Sequence, residues 1–205
     1  MDAFLLAHEL AVPNLHCPAL WAQLLARVRS VYAGRVSSVR YLESSAANSP
    51  WVAGLDFLSV DCYFTAPLAP ALVPGLPWQD VTLAQLVAAE AALMPPLANF
   101  SQRFSKPIVC TEIGMPSRPW AYTGWGNTRM LDGEDCSVSD QCVSVAAQAL
   151  AYTAWLQVYY AQPWFDGFLF WLWRADPTAG GMSSNSFSPQ GKPPVLNAIK
   201  ALWGV

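Results

Sequence analysis

The sequence predicts an α/β fold built from five consecutive βα units. Short apolar runs, each ending in polar or turn residues, alternate along the chain with longer segments of helical periodicity. This alternation is typical of parallel strands joined by helices. No two neighbouring runs carry the signal of an antiparallel hairpin.

The five strands are predicted at residues 3–10, 36–41, 57–64, 107–114 and 167–173. The run at 107–114 is the clearest, because it is apolar and bounded by Pro107 and Gly114. Helices are expected from Pro18, whose ring suits a first turn, and at about 82–104, 139–160 and 194–203. Pro95 and Pro96 are expected to kink or break the second of these helices.

Five such units fit either an open doubly wound sheet or a piece of a closed (β/α)8 barrel. The doubly wound fold is disfavoured, because the glycine-rich phosphate-binding turn of the dinucleotide-binding folds is absent. A complete barrel needs eight strands and typically about 250 residues. This chain of 205 residues is short of that by three units. We therefore expect residues 1–205 to form a single, partial barrel domain.

Composition disfavours several classes of protein. Apolar residues make up 54% of the chain and charged residues 12%, yet no apolar run reaches the roughly 18 residues of a membrane span. The net charge of −3 comes with scattered lysines and arginines, so nucleic acid is not expected as a partner. The first residues lack the pattern of a signal peptide, and the sequence leaves the compartment unknown.

The five cysteines include no CxxC pair. Cys62 and Cys110 lie inside apolar strand-like runs, where a buried thiol is the expected state. Cys136 and Cys142 lie in a polar loop and could close a disulfide in an oxidising compartment. Two histidines give little support to a metal site, so neither a metal nor a cofactor is expected.

Two glutamates lie at the ends of predicted strands. Glu9 and Glu112 would both stand at C-terminal strand ends, the face on which barrel enzymes place their sites. Because side chains alternate along a strand, Ile108, Cys110 and Glu112 are predicted to share one face. Glycoside cleavage needs two such carboxyl groups, one as an acid and the other as a nucleophile or base.

Other residues near the strand ends could contact a substrate. Asp61 and Tyr63 share the inward face of the third strand, although Asp61 could instead pair with a loop amide or an arginine. Trp171 lies near the end of the fifth strand. Trp120, in the long loop after Glu112, could be either a platform for a sugar ring or an anchor of that loop.

Four stretches, in this order, resemble the retaining glycoside hydrolases of clan A, and among them glycoside hydrolase family 113, whose known members are mainly β-1,4-mannanases. They are residues 2–10, 55–63, 106–117 and 162–173, and they contain His8-Glu9-Leu10, Thr111-Glu112-Ile113-Gly114 and Phe170-Trp171-Leu172-Trp173. The segment 188–192 resembles the family's lead into its last helix. The resemblance implies that this chain carries barrel strands four to eight, with no counterpart of strands one to three.

The resemblance also implies roles for individual residues. Glu9 would be the acid/base and Glu112 the nucleophile of a double displacement. Tyr63 would lie near Glu112, and Trp171 would form the floor under the sugar at the cleavage point. The family usually has Asn, a ligand of the sugar 2-hydroxyl, where this chain has His8. The implied substrate is β-1,4-mannan or a related β-linked polysaccharide, and parent enzymes of this type are generally secreted.

Two other interpretations stay open. A chain without three strands could be a truncated, non-catalytic remnant that binds carbohydrate, or it could need a second chain to complete the barrel, because open sheet edges favour association. Glu112 could also be a general base in an α/β enzyme of another reaction class. A carboxyl separation far from the roughly 5–5.5 Å of retaining glycosidases would favour that last interpretation.

Overall fold

The computed structural model describes residues 2–8, 10, 17–40, 49–63, 81–118 and 143–203. Contacts between residues divide the chain into two compact units. The first unit consists of Met1–Cys62, Pro95–Glu112 and Trp164–Leu169, and the second consists of Tyr63–Met94, Ile113–Pro163 and Phe170–Val205. The single domain expected for residues 1–205 stays a prediction.

The described residues contain six strands, namely β1 Ala3–Leu5, β2 Arg35–Ser37, β3 Val39–Arg40, β4 Leu58–Asp61, β5 Ile108–Ile113 and β6 Phe165–Phe170. β1 pairs with β2, and β3 to β6 form one sheet in chain order. The pairs β1–β2, β3–β4 and β4–β5 are parallel. These results confirm the α/β class. Since sheet neighbours are also sequence neighbours, the order reversal of a doubly wound sheet is absent from the described strands.

The ends of the observed strands differ from the predicted ones. The strand predicted at 57–64 is Leu58–Asp61 and the strand predicted at 167–173 is Phe165–Phe170, whereas the first two predicted strands are changed more deeply. The strand predicted at 36–41 is interrupted at Ser38 and forms β2 and β3, and the strand predicted at 3–10 ends at Leu5. The backbone N–H of Val39 nevertheless donates to the Ala7 carbonyl at 2.9 Å. Strand ends therefore depend on which backbone groups of the neighbouring strand are within reach, and an apolar run alone does not determine this.

Five α-helices are described: α1 Pro18–Arg29, α2 Leu83–Ala91, α3 Met94–Phe104, α4 Val145–Tyr160 and α5 Pro193–Trp203. The break predicted at Pro95 and Pro96 is confirmed, because one helix ends at Ala91 and the next begins at Met94. A proline has no backbone N–H, which is tolerated in a first turn but removes a hydrogen bond further along a helix. No helix among the described residues is long and apolar enough to cross a membrane.

The core of the first unit surrounds its middle strands. β4 is buried along its whole length, and Ile108 at the start of β5 is fully buried. α1 contributes Trp21, whose ring stacks on that of Trp51 with 5.2 Å between the ring centroids. Trp51 belongs to the short 3-10 helix Pro50–Gly54. The outer strands differ, since β1 is exposed throughout and Leu169 of β6 is 57% exposed.

Cys62 and Cys110 form a disulfide in the first unit, so the expectation of two buried thiols is wrong. Their Cα atoms are 5.4 Å apart, a usual separation for a disulfide. The two cysteines are 48 residues apart in the sequence, and only the pairing of β4 with β5 brings them together. Cys136 and Cys142 lie outside the described residues.

The second unit is built around α4. Its N-terminus is capped by Ser144, whose Oγ accepts a hydrogen bond from the Ala147 N–H at 3.1 Å. The side chains of Tyr152, Trp155 and Tyr159 are fully buried along this helix. α4 packs against both α2 and α5, so it is apolar on most of its circumference.

A buried lysine links two segments of the second unit. Lys192 Nζ donates hydrogen bonds to Ser117 Oγ, Ser186 O and Ser188 O at 2.8, 2.8 and 2.7 Å, and the Lys192 side chain is fully buried. Burial lowers the pKa of Lys192 to about 8. The amino group therefore joins the segment after β5 to the segment 188–192, which leads into α5.

Candidate active site

Three of the predicted site residues meet in the first unit. His8 follows β1, Asp61 is the last residue of β4, and Glu112 lies near the end of β5. Parallel strands place their C-terminal ends at the same edge of a sheet, which is where barrel enzymes carry their catalytic groups. This arrangement brings together residues that are far apart in the sequence.

His8 is at the centre of this group. Its Nε2 lies 2.8 Å from Oε1 of Glu112 and 3.2 Å from Oδ2 of Asp61. Asp61 Oδ1 accepts a hydrogen bond from the hydroxyl of Thr111 at 3.1 Å. The side chain of Asp61 is fully buried, that of Glu112 is 17% exposed, and that of His8 is 52% exposed. We refer to His8, Asp61, Thr111 and Glu112 as the His8 cluster.

A β-bulge explains why two successive residues of β5 both reach the His8 cluster. The register pairs Val60 with Cys110 but Asp61 with Glu112, so Thr111 is the extra residue of the bulge. In a regular strand, successive side chains point to opposite faces. The alternation predicted along this strand is therefore interrupted between Cys110 and Glu112.

The His8 cluster holds two carboxylates close together. The Nε2 of His8, one carboxylate oxygen of Asp61 and one of Glu112 all lie within 4.8 Å of one another. Two negative charges at that distance repel each other by about 3.5 kcal/mol at an effective dielectric constant of about 20. A hydrogen donor between them offsets part of this repulsion, and the imidazole of His8 occupies that position.

The three ionisable side chains of the cluster are also of the types that bind metal ions. The 2.8 Å between His8 Nε2 and Glu112 Oε1 is the distance of a hydrogen bond. A ring nitrogen that donates its hydrogen has no lone pair left for a metal. The expectation of neither metal nor cofactor stays a prediction.

Trp171 lies in the second unit, directly after β6, and 41% of its surface is exposed. Its backbone N–H donates to the Ile113 carbonyl at 2.7 Å. A Cβ atom on Gly114 would overlap the carbonyl oxygen of Trp171. The backbone of Trp171 can therefore approach the end of β5 only because residue 114 has no side chain.

The remaining predicted site residues are not part of the His8 cluster as described. Tyr63 is half-buried and belongs to the second unit. Glu9 and Trp120 lie outside the described residues. The roles of these three residues stay predictions.

Thr111 is the one member of the cluster that was not predicted. It precedes Glu112 in the sequence Thr-Glu-Ile-Gly. In a strand without a bulge, its side chain would point away from that of Glu112. The sequence pattern therefore did not predict that the Thr111 hydroxyl lies in the site.

A model of Glycoside Hydrolase Family 113 matches residues 4–192, which is nearly the whole chain. The chain belongs to glycoside hydrolase family 113. This confirms the resemblance found in the motifs, and with it a β-mannanase-like member of the clan A barrel enzymes. No curated protein matches the chain.

Solved structures similar to this family 113 chain include β-mannanases. The GH113 β-mannanase from Alicyclobacillus acidocaldarius, solved in complex with ManMIm, has a TM-score of 0.69 at 21% identity, covering 99% of this chain and 55% of that chain. A complex of a GH113 β-1,4-mannanase has a TM-score of 0.65 at 21% identity, with coverages of 99% and 56%. The family 17 β-1,3-glucanosyltransferase from Rhizomucor miehei has a TM-score of 0.54 at 16% identity, with coverages of 95% and 61%.

The family 113 chain described here is shorter than these relatives. It spans 55–56% of the length of the two GH113 enzymes. Identity of 21% shows the likeness of the fold, namely an α/β chain whose parallel strands match part of a (β/α)8 barrel. The count of five βα units, and their assignment to strands four to eight, stay predictions.

Proposed function

We propose that this protein is a retaining glycoside hydrolase that cleaves a β-linked polysaccharide, with β-1,4-mannan as its substrate. The observation that carries the proposal is membership of family 113 together with the placement of Glu112 near the C-terminal end of β5, 2.8 Å from His8. Three of the similar solved structures are GH113 β-mannanases. That likeness supports mannan rather than another β-linked polymer.

The proposed reaction is a double displacement. A carboxylate oxygen of Glu112 attacks the anomeric carbon, the glycosidic C–O bond breaks, and Glu9 gives its proton to the leaving oxygen. Glu9 then takes a proton from water, which attacks the same carbon and releases Glu112. The configuration is retained because the carbon is attacked twice. The cycle needs Glu112 ionised and Glu9 protonated at its start.

The position of Glu9 in this scheme rests on its neighbour. Glu9 directly follows His8 in the sequence, and His8 contacts Glu112. The role of Glu9 itself rests on the resemblance of His8-Glu9-Leu10 to the family motif.

We assign further residues to substrate binding. Trp171 is partly exposed, which suits stacking of its ring on the flat face of a sugar. Tyr63 and His8 are assigned to the sugar site by their positions in the family motifs. Asp61 and Trp120 are candidates because Asp61 lies near the end of the third predicted strand and Trp120 lies in the segment after Glu112.

The proposal includes a second polypeptide that completes the barrel. The chain spans 55% of the length of the GH113 β-mannanase from Alicyclobacillus acidocaldarius. Strands β1 and β6 are end strands of the described sheets, and open sheet edges are sites of pairing with another chain. The disulfide between Cys62 and Cys110 supports an oxidising compartment, in agreement with secretion.

The deciding experiment is hydrolysis of β-1,4-mannan and an aryl β-mannoside by the purified protein and by its Glu112→Ala and Glu9→Ala variants. Both variants should lose hydrolysis while keeping the far-UV circular dichroism of the parent. Azide should restore turnover in both variants, with opposite stereochemistry. An α-mannosyl azide is expected without the nucleophile, and a β-mannosyl azide is expected without the acid/base.

Asp166→Asn is the matched control, because Asp166 is a half-exposed carboxylate that pairs with Arg35 on the same unit. It should hydrolyse mannan like the parent. Parent protein that binds mannan without hydrolysing it, and binds it equally well after Glu112→Ala, would instead establish the carbohydrate-binding remnant.

A further inference from the structure

We propose that Asp61 and Thr111 are positioning residues that act through His8, fixing the proton of its imidazole on Nε2 and thereby the orientation of the Glu112 carboxylate. This inference rests on the proposed function, since it assumes that Glu112 is the nucleophile. It gives Asp61 and His8 a role different from contact with the sugar.

The two neighbouring carboxylates determine which nitrogen of the His8 imidazole carries the hydrogen. Two carboxylate oxygens, one from Asp61 and one from Glu112, face the same nitrogen of His8 at 3.2 and 2.8 Å. A neutral imidazole carries its hydrogen on one nitrogen and a lone pair on the other. A lone pair facing two carboxylates would be repelled by both. Nε2 must therefore carry the hydrogen, and the shorter distance directs it at Glu112.

The buried carboxylate of Asp61 is oriented by its polar neighbours. Its side chain is fully buried, and a buried carboxylate is stable only when polar partners compensate for the lost water. The Thr111 hydroxyl donates to Oδ1 at 3.1 Å, while Oδ2 faces His8. Each oxygen of Asp61 thus has a different neighbour, and the hydrogen bond from Thr111 restrains the rotation of the carboxylate.

The β-bulge at Thr111 determines whether the Thr111 hydroxyl can reach Asp61. Thr111 reaches Asp61 only because it is the extra residue between Cys110 and Glu112. Bulges next to active sites re-aim side chains in this way. The same bulge therefore sets the direction of the Thr111 hydroxyl and the direction of the Glu112 side chain.

These contacts affect the orientation of the Glu112 carboxylate. The contact of His8 Nε2 with Oε1 at 2.8 Å restricts the orientation of the Glu112 carboxylate and hence the direction of its other oxygen. Nucleophilic attack depends on such alignment, and a misplacement of about 1 Å can cost roughly 100-fold in rate. Asp61 would act on the rate without touching the sugar.

The first test reads the imidazole directly and does not require activity. The chain has two histidines, so a long-range ¹H–¹⁵N spectrum contains two imidazoles, and a His16→Gln variant assigns the remaining one to His8. The parent should show the hydrogen of His8 on Nε2. Asp61→Asn should raise the share of the Nδ1–H form without abolishing the Nε2–H form, because only one of the two carboxylates that face Nε2 is removed. Asp166→Asn should leave the spectrum of His8 unchanged.

The second test uses turnover of an aryl β-mannoside. Asp61→Asn should lower kcat by roughly 10- to 100-fold while KM changes by less than about twofold. Thr111→Val should lower kcat by less, and Thr111→Ser, which keeps the hydroxyl, should recover most of the parent rate. If Asp61→Asn fails to fold, the comparison of Thr111→Val with Thr111→Ser tests the inference instead.

The possible results separate this inference from the proposed function. His8 found as the Nδ1–H form in the parent, or unchanged by Asp61→Asn, overturns the inference. So does a rise in KM at constant kcat, which would make Asp61 a sugar ligand. An inactive parent that shows the expected Nε2–H signal, with a smaller share of that form in Asp61→Asn, leaves the positioning of His8 established and rejects the proposed function of this chain.

Discussion

Replacing Cys62 and Cys110 together by alanine is expected to lower the free energy of unfolding by about 4 kcal/mol. The two cysteines are 48 residues apart and join β4 to β5 inside the first unit. Closing a loop of that length removes about 14 cal/mol/K of entropy from the unfolded chain, which is about 4 kcal/mol at 25 °C. Both side chains are buried, so the loss of packing adds to this effect.

The measurement is urea unfolding of the unreduced protein, followed by far-UV circular dichroism. The alanine pair is a sharper perturbation than a reducing agent, because it leaves Cys136 and Cys142 unchanged. Cys17→Ala is the matched control, since Cys17 is a free, half-buried cysteine whose side chain makes no capping hydrogen bond. It should change the free energy of unfolding by less than about 0.5 kcal/mol.

Two results would refute this reasoning. One is a loss below about 1 kcal/mol at an unchanged denaturant slope, which would mean that the link does not restrict the unfolded chain. The other is direct chemical evidence. If peptide mapping of unreduced, alkylated protein finds both Cys62 and Cys110 alkylated, the disulfide is absent from the protein.

Three further predictions concern the second unit. Gly114→Ala should destabilise the protein by about 1–3 kcal/mol and change the near-UV circular dichroism of its tryptophans, because the new methyl group would overlap the Trp171 carbonyl; an unchanged spectrum and stability would contradict this. The pKa of Lys192 is about 8 in the folded state, below its ordinary value of 10.5, so the folded protein loses this proton first. The free energy of unfolding of the parent, relative to that of Lys192→Met, should therefore rise between pH 8 and 10.5. Urea unfolding measures both free energies, and a constant difference between them over this range would contradict the prediction. Thr82→Ala should cost about 1 kcal/mol in thermal or urea unfolding, because Thr82 and Gln85 form a capping box at the start of α2, whereas Thr82→Ser should keep most of the stability.

The sequence alone predicted the features that depend on neighbouring residues. The strand at 107–114 was found as Ile108–Ile113, and the last helix, predicted at 194–203, was found as Pro193–Trp203. The break at Pro95 and Pro96 was also predicted correctly, because proline acts on its own helix turn. The ordered motifs around Glu112 were sufficient to identify family 113.

Features that depend on register between distant strands could not be predicted. The apolar surroundings of Cys62 and Cys110 fit a thiol as well as a disulfide until β4 is paired with β5. Thr111 gave no signal of its place beside Asp61, because a bulge is a property of two strands. Ser38 interrupts a predicted strand for a similar reason, since a ladder ends where its neighbour stops supplying hydrogen bonds.

The sequence by itself thus determined the class of the fold, the family, and the glutamates and aromatic residues worth testing. These follow from short-range patterns, in which a residue type and its spacing carry the information. Only the tertiary structure decided that His8 stands between Asp61 and Glu112, and that Thr111 holds Asp61 from the other side. The physical reason is that hydrogen bonds need atoms placed within a few tenths of an ångström, and such placement comes from the pairing of strands far apart in the chain.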